Sequence, residues 1–199
     1  MLRLYDFTGS GNGYKARLML SLLDIPYELI EKDIMTGETR KPEFLAMNPN
    51  GRIPLLELES GDHLAESDSI LYYLAEGTPY WPEDRLDRAR VLQWMFFEQY
   101  NHEPTVAVAR FIVHFLPPDH PRRADLPTLR EKAHATLQVM EDHLAGHDWM
   151  AAGCPTIADL ALYAYTHVAG DGGIALDDYS AINAWMARIR NLPGFVAMA

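Results

Sequence analysis

The chain changes its pattern once, and that change limits the folds open to it. Up to residue 77, short β-type runs alternate with helix-spaced apolar residues; beyond a proline-containing segment, Thr78–Asp84, no strand pattern persists. Leu2 to Phe7 is a β-type run and Thr8 to Gly13 is turn chemistry. Ala16, Met19, Leu20 and Leu23 recur at helical spacing and predict a first helix that stops before Ile25-Pro26. Tyr27 to Ile30 reads as a second strand, and Pro42 to Met47 as a short helix leading into the turn Asn48-Pro49-Asn50-Gly51. Ile53–Leu58 and His63–Ala65 flank a Gly61-Asp62 turn as a hairpin, and Glu66 to Glu76 follows as a helix with Ile70, Leu71 and Leu74 inward. The order β-α-β-α-β-β-α implies a mixed sheet carrying helices. We therefore expect a first domain over 1–77, a linker over 78–84 and an all-helical second domain over 85–199.

In the second part, Arg85 to about Phe115 predicts one long helix bent near Pro104, and Leu126 to Leu144 a second. Thr156-Ile157-Ala158-Asp159 has the form of a capping box, with Ile157, Leu160, Ala161 and Ala164 on one buried face, and a last helix spans about Tyr179 to Arg190.

A formal net charge of -11 disfavours a polyanionic partner, and the basic residues are scattered, so no nucleic-acid role is expected. No run approaches the roughly 20 apolar residues of a membrane helix, and the first ten residues lack a signal-peptide pattern. A cytoplasmic protein that uses no membrane is expected. The single cysteine, Cys154, excludes an internal disulfide and Cys-x-x-Cys chemistry, and the eight histidines show no metal-ligand spacing with a carboxylate, so no metal is expected.

Three motifs carry chemistry. Thr8-Gly9-Ser10-Gly11-Asn12-Gly13-Tyr14-Lys15 delivers a hydroxyl and an amide to a helix N-terminus, whose N–H groups and partial positive charge favour an anion such as a thiolate. Most Gly-Ser-Gly turns are only turns. Ile53-Pro54 opens a strand inside the sheet; a cis bond would turn the Ile53 backbone outward to meet an extended peptide, while an ordinary strand-initiating proline is the commoner case. Glu66-Ser67-Asp68-Ser69 starts a helix. It is good capping chemistry, and it also suits a γ-glutamyl group, with Glu66 accepting from an ammonium and Ser67 holding a carboxylate.

In this order, Asn48-Pro49-Asn50-Gly51-Arg52-Ile53-Pro54-Leu55-Leu56, Glu66-Ser67 and Thr156-Ile157-Ala158-Asp159 resemble the cytosolic glutathione transferase superfamily over nearly the whole chain. The resemblance implies an α/β thioredoxin-like N-terminal domain that binds glutathione, followed by an all-α domain bearing a variable hydrophobic pocket, and a homodimer. It implies catalytic roles for Ser10, as in serine-type classes, and for Asn12, as in some bacterial classes. Glutathione would be held by Ile53, Pro54, Glu66, Ser67 and Lys41. Tyr5 lies within the first strand rather than after it, so it is read as core; the loop lacks the thiol of cysteine-type classes, and Cys154 is read as a packed structural residue. Trp94, Phe96, Phe97, Tyr100, His102 and Arg110 sit on the long helix expected to face the site, where an aromatic stripe is more often core; Tyr100, His102 and Arg110 are the pocket candidates. The expected reaction is attack by glutathione thiolate on a small hydrophobic electrophile. The alternatives are a glutathione-dependent isomerase or disulfide reductase, or a non-catalytic binding protein of the same fold.

Overall fold

The computed structural model describes residues 1–198, which divide into two units: residues 1–77 with residues 192–198, and Thr78–Asn191. In the first unit, β1 (Leu2–Asp6) lies at the centre of a four-stranded sheet of order β2-β1-β3-β4. It pairs parallel with β2 (Tyr27–Glu31), so that Leu4 meets Leu29, and antiparallel with β3 (Leu55–Glu57), where Leu4 faces Leu56. β4 (His63–Ala65) closes the hairpin with Leu56 opposite Leu64. The parallel pair requires a crossover, and α1 (Gly11–Leu22) supplies it. α2 (Pro42–Met47) starts with a proline in its first turn, where the missing N–H costs nothing.

α3 (Ser67–Ala75) packs against α1. Leu18 and Met19 of α1 and Ile70 and Leu71 of α3 join Leu4, Leu55 and Leu56 in a core with no solvent exposure. Residues 192–198 return to this unit: the Tyr14 hydroxyl donates to Val196 O at 2.7 Å and Ser21 Oγ to Gly194 O at 2.7 Å. The helical unit therefore ends at Asn191 rather than at the last residue.

The second unit contains α4 (Arg85–Phe97), a π-helical segment over Glu98–Ala107, α5 (Val108–Phe115), α6 (Leu126–Leu144), α7 (Ile157–Thr166) and α8 (Ser180–Arg190). Pro104 lies inside the π-helical segment, which replaces the simple bend expected there. A proline has no N–H to give and crowds the preceding turn, and the wider coil accommodates both. Thr105 Oγ1 donates to Asn101 O at 2.8 Å and to His102 O at 3.0 Å, serving carbonyls in the disturbed turn. All ten residues of α7 are buried. The Asp159 carboxylate at its start accepts from Met150 N, Thr156 N, Thr156 Oγ1 and Trp185 Nε1 at 2.8–2.9 Å, completing the capping box and tying α7 to α8.

Candidate functional site

The turn after β1 ends in an N-cap. Ser10 has extended backbone (φ -85, ψ 127), its C=O accepts from Tyr14 N at 2.9 Å, and its Oγ accepts from Gly13 N at 3.3 Å. Accepting that bond leaves the Ser10 hydroxyl proton available to an outside acceptor, at the helix end where N–H groups and the helix dipole favour negative charge. Asn12 sits in the same first turn and is half-buried.

α3 brings a second N-terminus to the same place. Ser67 is buried, and its hydroxyl accepts from Lys15 Nζ at 3.3 Å and donates to Asn12 Oδ1 at 3.5 Å. The direction follows from chemistry: an ammonium only donates, so the serine proton goes to the amide oxygen. Lys15, with no exposed side-chain surface, also pairs with Asp68 Oδ1 at 3.1 Å. One polar group thus links the first turns of α1 and α3. Glu66, immediately before α3, is exposed and Oε1 accepts from Asn50 Nδ2 at 3.5 Å. Its backbone is left-handed (φ 67, ψ 118), a conformation that costs a non-glycine residue about 1–3 kcal/mol. Such strain persists where the surroundings hold it and collects at functional sites.

The Ile53-Pro54 bond is cis. Ile53 precedes β3, and among the described residues its N–H and C=O make no hydrogen bond. Lys41 is exposed at the start of α2 and forms no hydrogen bond or ion pair with the α1–α3 group.

The three pocket candidates of the helical unit do not share a surface. Tyr100 is 85% exposed, whereas His102 is fully buried, with Nε2 2.9 Å from Thr166 Oγ1. Arg110 is largely buried, and its Nε pairs with Asp171 Oδ2 at 3.0 Å. Positions two apart on a helix point away from one another, which separates Tyr100 from His102. The aromatic stripe splits likewise: Trp94 is buried against the edge of Phe97, but Phe96 is exposed. Tyr5 is half-buried rather than core, because its hydroxyl reaches Glu57 Oε2 at 2.7 Å. Cys154 is half-buried, and burial raises its thiol pKa, the opposite of what a reactive cysteine needs.

The motifs alone do not reveal the roles of Lys15 and Asp68. A signal exists all the same: Lys15 stands three and four positions before Leu18 and Met19, on the face that α1 buries. A lysine on a buried helical face needs a partner.

The model of the glutathione S-transferase N-terminal domain matches residues 1–76, and that of the C-terminal domain matches residues 105–193. The chain belongs to the glutathione S-transferase family. It is similar to the disulfide-bond oxidoreductase YfcG of Escherichia coli, with 30% identity covering 97% of this chain and 92% of that protein. Among solved structures, a possible glutathione S-transferase from Rhodopseudomonas palustris superposes with a TM-score of 0.96 at 49% identity, covering all of this chain and 90% of the other. Ure2p in complex with glutathione superposes with a TM-score of 0.88 at 26% identity, covering 97% of this chain and 95% of the other.

Proposed function

We propose that this protein binds glutathione across the N-termini of α1 and α3 and presents its sulfur as a thiolate to a small hydrophobic electrophile. The observation that carries this reading is the Lys15–Ser67–Asn12 chain, which joins a strained γ-glutamyl-type clamp to a helix end suited to an anion. Glu66 accepts from the γ-glutamyl ammonium, and the Ser67 N–H takes its carboxylate, joined by the Ser67 hydroxyl once its proton turns from Asn12 Oδ1 to the ligand. The Ile53 N–H and C=O pair with the cysteinyl backbone beside Pro54, and Lys41 supplies a further cation toward the tripeptide. The sulfur then lies at Ser10 and Asn12.

A free thiol has a pKa of roughly 8.5, so only about 3% is ionised at pH 7. Lowering it by about 2 units takes roughly 2.7 kcal/mol of selective anion stabilisation. One charge-assisted hydrogen bond is worth about 1.5–3 kcal/mol, and the helix end adds to it. The thiolate forms a C–S bond as the leaving group departs with its electron pair, so no protein base is required. Of the pocket candidates, Tyr100 alone offers open surface to a substrate. We further propose that the protein works as a homodimer, with exposed aromatic residues such as Tyr73 and Phe96 supplying apolar surface for a second copy.

A second reading is favoured by the similarity to YfcG over nearly the whole chain. The same thiolate attacks a disulfide, forming a glutathione mixed disulfide and releasing one thiolate. A second glutathione then resolves it to glutathione disulfide, so the two electrons come from two glutathione thiols and no protein cysteine is used. Calorimetry with glutathione, followed by turnover with a chlorinated nitrobenzene and with a hydroxyalkyl disulfide, tests the proposal. Substitution of the aromatic chloride supports transfer, and turnover of the disulfide alone selects the second reading. Absence of glutathione binding refutes both.

A further inference from the structure

The turn that carries Ser10 is held by three charged side chains from three different elements. Asp6, the last residue of β1, is fully buried, and its Oδ1 accepts from Phe7 N at 2.7 Å. Its Oδ2 lies 2.9 Å from Nε of Arg17 on α1, whose side chain is 9% exposed. Arg17 Nη2 donates to Thr8 O at 2.7 Å and to Ser10 O at 3.4 Å. From the end of β2, Glu31 takes the remaining groups of Thr8: Oε1 accepts from its N–H at 2.9 Å and Oε2 from its hydroxyl at 2.5 Å. The carboxylate of Asp6 also fills the space beneath the first turn of α1. A Cβ placed on Gly13 would collide with Asp6 Oδ1, so no residue but glycine fits there without displacing it.

Stability does not explain such a pair. Burying two charges costs several kcal/mol of desolvation, and well-packed apolar side chains of similar volume often do as well or better. What the pair supplies is geometry, since a planar guanidinium with fixed donors can hold two carbonyls and a carboxylate at once. We propose that Asp6 and Arg17 are positioning residues for the thiolate site, setting the Thr8–Ser10 backbone and through it the Ser10 hydroxyl and the Asn12 amide. The role in thiol chemistry rests on the glutathione reading above; the control of the loop does not.

The pair also has a pH signature. Burial pushes the Asp6 pKa up to about 7, against the opposing pull of Arg17 and the Phe7 N–H, while Glu31 acts in the upward direction. Arg17 on α1 and Glu31 and Tyr27 on β2 are the charged and titratable groups that face it. Protonation of Asp6 removes the charge that orients Arg17, so kcat should rise with pH through about 7, although the buried charge lowers global stability over the same range.

The test combines amide hydrogen exchange over residues 7–13 of the unliganded protein with steady-state kinetics, for Asp6→Asn, Arg17→Lys and Glu31→Gln. Asp6→Asn should speed exchange over residues 8–13 and lower kcat, each by about tenfold, with KM for glutathione within about twofold because Glu66 and Ser67 lie on another segment. Its kcat profile should lose the limb near pH 7. Arg17→Lys keeps the charge but loses the fork, and should fall between Asp6→Asn and the parent. Should Asp6→Asn fail to fold, faster loop exchange in Arg17→Lys and Glu31→Gln carries the same conclusion. A folded Asp6→Asn or Arg17→Lys with parental loop exchange and parental kcat overturns the proposal. A parent that binds no glutathione in calorimetry refutes the function reading instead, and the exchange measurement then decides the role of the pair in the loop.

Discussion

Replacing Lys15 with methionine removes an ammonium that has no exposed surface and leaves Asp68 and Ser67, among its partners, in place. Removing one member of a buried ion pair costs about 3–5 kcal/mol, because the other charge stays behind unpaired. Asp68 is 16% exposed, so water recovers part of that loss and about 2–4 kcal/mol is expected. In a chain of 199 residues each kcal/mol moves the melting temperature by roughly 2–4 °C, which places Lys15→Met about 4–16 °C below the parent. Binding should suffer separately, since Ser67 loses the donor that fixes its hydroxyl toward Asn12; a tenfold loss of glutathione affinity corresponds to about 1.4 kcal/mol. Differential scanning calorimetry and isothermal titration read the two effects. The double variant Lys15→Met/Asp68→Leu separates them: with no stranded charge it should regain most of the stability but not the affinity. A single variant that melts within about 2 °C of the parent and binds glutathione equally well would refute the reasoning.

Glu66→Gly should relieve the left-handed backbone and raise stability by up to about 1 kcal/mol, while glutathione affinity drops with the lost carboxylate; chemical denaturation beside calorimetry checks both. Asp159→Ala strands four buried donors and should cost more than about 3 kcal/mol, measured as a shifted urea midpoint with an unchanged slope. Asp6 gives a pH dependence of definite sign. Its pKa is raised from 3.8 to about 7 in the fold, so between those values the folded chain holds a proton that the unfolded chain has released. Its contribution to stability therefore declines as pH rises across that window and levels above it. His143 and His167, whose pKa values burial lowers, act oppositely, losing stability as pH falls below the usual histidine value of 6.5. Asp6→Asn should remove the first trend and leave the second, as read from denaturation across pH.

Short-range signals make most of the fold legible in the sequence. The proline at the start of α2 and the apolar spacing of α6 mark those helices at their observed limits, Pro42–Met47 and Leu126–Leu144. The Thr156–Asp159 box is a four-residue pattern with its own hydrogen bonds, so it reads directly. The links that organise the candidate site are long-range: Lys15 to Asp68 spans 53 positions and Ser67 to Asn12 spans 55, and no local pattern encodes such pairings. The return of residues 192–198 to the first unit includes hydrogen bonds from Tyr14 and Ser21 of α1 that carry no sequence signature. Around Pro104, helical spacing misleads because the coil widens, and the inward turn of His102 toward Thr166 becomes visible only in the folded unit.

The central claim is that the α1 N-terminus, with Ser10 and Asn12, stabilises the thiolate of bound glutathione. Titration of thiolate absorbance in the protein–glutathione complex tests it most directly, with Ser10→Ala, Asn12→Ala and the double variant alongside the parent. The parent should ionise bound glutathione about 2 pH units below the roughly 8.5 of a free thiol, at least one single variant should titrate higher, and the double variant highest of all. Bound glutathione that ionises in the parent at the free-thiol value, or alike in all four proteins, would contradict the account.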